Sequence, residues 1–217
     1  FAALPEIATL AGQSTTESRD EALTLAGDIA RTLHKYHDAD DLVRAKPHAF
    51  ATLHRLAADS LPGLTATDFR MRFQAALAFA GYTFWAVISL DYSDEHYRIS
   101  CPHCAQHLYI VIGEYGNYSA IRHWNDGDVQ RLALRPAEPP TLTGIARWMH
   151  DTAAANGEVT LADGLTYLFG DAGCAGCGSI FNIANRYEAE NSPSQPIEPV
   201  APNRYYLNHV DKVYDGQ

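Results

Sequence analysis

EHYRISCPHCAQHLYIVIG, residues 95–113, is the stretch on which the fold turns. EHYRIS enters the cysteine pair CPHC and QHLYIVIG leaves it, two short runs rich in β-branched and aromatic residues around a tight turn. That is the pattern of an antiparallel hairpin. Upstream of it the apolar residues recur with helical spacing. Downstream, CAGCG at 174–178 repeats the cysteine spacing.

The upstream part is read as helical. STTE at 14–17 has the form of a capping box, and it predicts a helix over 14–39 that buries Ala22, Ala26, Ile29 and Leu33. A second helix begins at Pro47 with Phe50, Leu53, Leu56 and Ala57 on one stripe. A third follows Thr67 and carries Phe69, Phe73, Leu77 and Ala80. Short joints between such helices make neighbours antiparallel, so residues 1–92 are expected to form a helical domain, either a bundle or a helical-repeat-like stack. YTFWAVISLDY, 82–92, has the composition of a strand; its place after a helical series leads us to expect another helix.

Beyond the first cysteine pair, YSAIRHW and VQRLAL predict further strands joined by a turn at NDGD, 125–128. After PAEPP, the segments 141–157 and 159–169 read as two helices, the first ending at Asn156–Gly157 as a glycine cap. The chain then returns to the second cysteine pair. Residues 93–190 are thus expected to be one β module with an inserted small antiparallel sheet and two helices. Residues 191–217 are expected to be a proline-rich linker and an aromatic C-terminal segment, RYYLNHVDKVY. The fold class is α+β.

Composition excludes several functions. The formal net charge is -10, and the sixteen Lys and Arg form no run. There is no basic footprint for a phosphate backbone, so nucleic acid is not an expected partner. The apolar stretch FWAVISL, 84–90, is far short of the roughly 20 residues a spanning helix needs. No serine lies in a nucleophile-elbow context. All four cysteines fall in two C-x-x-C pairs, which suits metal ligands in a reducing compartment better than a disulfide framework. Cytoplasm is the expected location.

A structural zinc site takes four ligands in a tetrahedron and favours thiolates; iron accepts the same set. A glycine after each pair would let the backbone turn left-handed and aim amides at sulfur. Gly178 meets that requirement and Ala105 does not. The context of CPHC is not the βαβ setting of a thioredoxin-like pair, and no H-x-E precedes it as in a cytidine deaminase.

CPHC with LYIVIG, and CAGCG with SIFNIAN, resemble the two knuckles of a zinc ribbon over residues 97–113 and 172–184. Two features depart from that family: Ala105, and a separation spanning 105–173 where compact ribbons have about 15–20 residues. The resemblance implies that Cys101, Cys104, Cys174 and Cys177 are ligands of a structural zinc. A closed four-thiolate shell offers no coordination position for catalysis.

One other arrangement bears on chemistry. If RTLHKYHDADD, 31–41, is helical throughout, then His34, His37, Asp38 and Asp41 share a face and form a candidate second metal site. The plainer interpretation is a helix end, where His and Asp are common. The expected function is therefore a non-catalytic zinc-binding protein that acts by contact with another protein. The alternatives are a metal-assisted hydrolase or biosynthetic enzyme using the histidine/aspartate face, and an acidic antitoxin-like inhibitor of a basic protein.

Overall fold

The computed structural model describes residues 1–35, 39–122 and 130–191. Four helices pack in a ring: α1 (Leu4–Gln13) against α2 (Thr16–Arg31), α2 against α5 (Ala66–Phe79), α5 against α4 (Pro47–Asp59), and α4 back against α1. That is a bundle, not a stack of repeats. A short α3 (Ala39–Ala45) packs on α4. The predicted stripes Ala22, Ala26 and Leu33, and Phe50, Leu53, Leu56 and Ala57, are buried. Gly27 lets α2 approach α5 closely, since a Cβ there would lie 2.7 Å from that of Ala75. At the same seam the buried Arg72 donates to the carboxylate of Asp20 at 3.0 Å and to the Ser60 hydroxyl, tying three helices with one side chain.

Several expectations for this half need correction. The capping box does not form: Thr15 is the N-cap of α2 and makes no side-chain cap bond, while the Ser14 hydroxyl bonds back to the Leu10 carbonyl and closes α1. Regular α-structure stops at Arg31 and continues as a 3-10 turn over Thr32–Lys35. α5 starts at Ala66, capped by Thr65, and Ala80 is an exposed C-cap instead of a core residue. α1 was not anticipated; it buries Leu4, Ala8 and Ala11.

Residues 82–91 form neither helix nor strand. Gly81, at φ +88°, ends the preceding helix, and the segment runs on as turns with Trp85, Ala86, Ile88 and Leu90 buried. Side chains claim the carbonyls a helix would use. Gln74 donates to the Ile88 carbonyl at 2.8 Å, and the Tyr97 hydroxyl donates to that of Ser89 at 3.0 Å. With apolar residues on all sides, tertiary burial overrides local preference.

β1 (Asp94–Ser100) and β2 (His107–Gly113) pair antiparallel in the register Tyr97↔Ile110 and Ile99↔Leu108. The strands expected to form a separate inserted sheet instead extend this hairpin. β3 (Tyr118–Ala120) pairs with β2 and β4 (Leu132–Ala133) pairs with β3, giving one sheet of order β1-β2-β3-β4. Alternation puts Tyr97, Ile99, Leu108, Ile110 and Ile112 on an inner, buried face. α6 (Gly144–Ala155) and α7 (Val159–Leu168) follow, with Gly157 at φ +77° closing α6 as expected.

The second cysteine pair sits on its own hairpin, β5 (Asp171–Gly173) with β6 (Ile180–Asn182). Arg135 and Asp171 exchange two backbone bonds of 2.9 Å, and the Ser119 hydroxyl donates to the Gly173 carbonyl at 2.6 Å. These join the small sheet to the large one. The β-type run expected through residue 184 is cut short at Asn182, where α8 (Ile183–Asn191) begins. One cluster of buried side chains runs from Leu4 to Ala184, bridged by Phe73 on Trp148 and Trp85 on Phe169, each at 5.2 Å. Among the described residues no helix is long and apolar enough to cross a membrane. The NDGD turn and the segment beyond residue 191 lie outside the described residues.

Candidate metal centre

The two cysteine pairs occupy equivalent places. Cys101 closes β1 and the chain re-enters β2 at His107; Cys174 follows β5 and the chain re-enters β6 at Ile180. In the first knuckle the Cys101 amide donates to the Gln106 carbonyl at 2.8 Å and the Ala105 amide to the Cys101 carbonyl at 2.9 Å. In the second, the Cys174 amide donates to Ser179 at 2.9 Å and the Gly178 amide to Cys174 at 2.7 Å. The same two bonds are made at the same offsets.

The offsets require a left-handed residue one place after each second cysteine. Gly178 supplies it at φ +77° without strain. Ala105 supplies it at φ +59°, and it is the one non-glycine residue with positive φ among those described. Position 105 thus takes the left-handed conformation although it lacks the expected glycine. A Cβ in that region costs roughly 1–2 kcal/mol. Local preference does not select it; knuckle closure imposes it.

Closure brings the sulfurs together across the 69-residue gap, residues 105–173. Cys101 and Cys177 Sγ are 3.7 Å apart, as are Cys104 and Cys174 Sγ, and all four lie within 4.8 Å of one another. Zinc–sulfur bonds of about 2.3 Å put the edges of a tetrahedron near 3.8 Å, whereas a disulfide requires about 2.05 Å. The four cysteines are free thiols at spacings that could hold a metal ion. Cys101 and Cys174 are buried, while Cys104 and Cys177 are exposed. Each knuckle therefore contributes one sulfur from the core and one from the surface.

The protons reflect the crowding. Ser179, through its hydroxyl 3.4 Å from sulfur and its amide, draws the Cys177 thiol down to about 6. At Cys104 the Gln106 backbone acts downward, but the neighbouring thiols and desolvation outweigh it and push the thiol up to about 12. Four thiolates this close repel one another until a cation joins them.

α8 grips the approach to the first knuckle. Arg186 Nε donates to the Ser100 carbonyl at 2.7 Å, the Ser100 amide donates to both Glu190 carboxylate oxygens at 3.0 Å, and Arg186 and Glu190 form an ion pair. The residue before Cys101 is thus held on both its backbone groups. Only the i,i+4 spacing of Arg186 and Glu190 marks them in the sequence, and nothing there points to Ser100. His103 and His107, on either side of the first knuckle's end, are exposed.

Of the other candidate set, His37 and Asp38 lie outside the described residues. Asp41 is exposed and ion-paired with Arg44 on the next turn of α3. Among the described residues no second group of three or more His, Cys, Asp or Glu closes to metal-holding distances. Comparison with known proteins finds no matching family model, no matching curated protein and no matching solved structure.

Proposed function

We propose that this chain is a zinc-binding protein whose metal site is structural, built on two zinc-ribbon-like knuckles, and that it acts through contact with another protein. The observation that carries the metal assignment is the pair of knuckles closing with the same backbone bonds, one of them at the expense of a left-handed alanine, to bring four sulfurs within 4.8 Å of one another, two pairs of them at 3.7 Å. Cys101, Cys104, Cys174 and Cys177 would hold the ion. Four thiolates complete its shell, so its contribution is folding free energy.

Around the site lie a serine hydroxyl against sulfur, an Arg–Glu clamp, and the Ser100 hydroxyl 3.3 Å from His107 Nδ1. The contact role rests on the closed four-thiolate shell, which would leave the ion no coordination position for catalysis. The cleft of about 400 Å³ between α1, α2 and α4 is lined by Arg19, Asp20, Arg55 and Asp59, of which Arg19 already caps the end of α1 through the Ala11 and Ser14 carbonyls. Counting metal per chain by elemental analysis tests the proposal. One zinc is expected; a second equivalent would favour the hydrolase alternative, and iron would reassign the ion.

A further inference from the structure

The face of the large sheet that points away from the core collects positive charge on an acidic chain. Val111, Tyr118 and Ala120 form a small apolar cluster there, separate from the main core. Over it lie two guanidinium groups: Arg98 is stacked on the Tyr109 ring at 5.2 Å and Arg131 on the Tyr118 ring at 4.5 Å. Strand register places Arg98 directly opposite Tyr109, so the pair is built into the sheet and not left to a flexible loop. β2, β3 and β4 contribute no carboxylate to either face, while β1, which carries Arg98, also carries Asp94 and Glu95 near its start. α8, which packs on β1, meets the other face through Tyr187 on Tyr97 at 5.0 Å.

A second observation comes from beneath Arg131. Tyr118 is buried, and its hydroxyl is a buried polar atom with no hydrogen-bond partner. Buried hydroxyls are ordinarily paired. An oxyanion would satisfy both groups at once, accepting from the Arg131 guanidinium and from the Tyr118 hydroxyl. Guanidinium groups seated over aromatic rings keep donors available for carboxylates.

We infer that this sheet face binds an acidic peptide segment of a partner protein, with Arg98 and Arg131 as the anchoring charges and Tyr118 as the buried donor. The inference rests on the contact role proposed above and names the chemistry of the partner. Charge complementarity selects an anion. A nucleic acid strand is disfavoured because base recognition needs open aromatic rings, and both tyrosine rings here are covered.

The test is fluorescence anisotropy of a labelled oligoglutamate peptide titrated with the zinc-loaded chain at low and physiological salt. Saturable binding is expected, weakened about tenfold in R98Q/R131Q and unchanged in R55Q, whose arginine is exposed on α4. Y118F should weaken binding severalfold, a readout that general charge attraction would not move. Metal content and circular dichroism on the same preparations establish that each variant is folded. No binding, equal loss in R55Q, or tighter binding of a single-stranded oligothymidylate would overturn the inference. With one zinc per chain still counted, that failure would leave the metal site standing.

Discussion

Ala105 is where the chemistry of the site shows in the backbone. Replacing it with glycine removes a Cβ from the left-handed region, a relief of roughly 1–2 kcal/mol, set against about 0.4–1 kcal/mol of added unfolded-state entropy. Ala105→Gly should therefore stabilise the protein by about 0.5–1 kcal/mol, read as a higher urea midpoint with an unchanged slope; destabilisation would mean that the alanine side chain has a packing role. The thiols give a second prediction with a definite sign. Metal must displace the protons its ligands hold, so affinity falls as pH falls. Between about 6 and 8 the Cys104 proton, held to about 12, is among those displaced. Below about 6 the Cys177 thiol also takes up its proton and the slope steepens. Chelator competition across that range should show this trend, and affinity rising on acidification would contradict it. The cysteines were legible in the sequence because ligand chemistry is carried by residue type and spacing. Ala105 was not, because closure of the hairpin, and no preference of alanine, sets its φ.

At the level of elements, periodicity served wherever burial is one-sided. The stripes of α4 and α5 and the alternation of β1 and β2 repeat at the period of the structure they form. It failed at 82–92, where apolar residues on all sides give no period, and at α8, whose amphipathic signal is weak and whose task is to clamp Ser100. It also could not tell that β3 and β4 extend the first hairpin, since strand partners are chosen by contacts distant in sequence. Gly164 shows how such contacts constrain an element. It sits in the middle of α7, where glycine is unfavourable, because a Cβ there would lie 2.1 Å from the Tyr92 ring. Tyr92 in turn meets the Tyr97 hydroxyl at 3.2 Å. Helix propensity alone predicts that Gly164→Ala stabilises; overpacking predicts a loss of about 1–3 kcal/mol. We expect the loss, measured as a lower urea midpoint.

For the whole molecule, the four cysteines meet at the point where the chain closes on itself. β2, β3, β4, α6, α7 and β5 lie between the two knuckles, β1 leads into the first, and β6 and α8 follow the second. Structural zinc binding is worth about 10–16 kcal/mol at neutral pH in small sites, against about 5–15 kcal/mol for the stability of an entire domain. The site is therefore large enough to decide whether the cysteine-bearing half folds, even though that half shares a core with the helices. The most direct measurement is elemental analysis of metal per chain, with circular dichroism, on the wild type and on Cys174→Ser. One zinc in the wild type, lost in the variant together with folded signal, is the predicted result. A metal that survives loss of Cys174, or a fully folded variant without metal, would contradict the account.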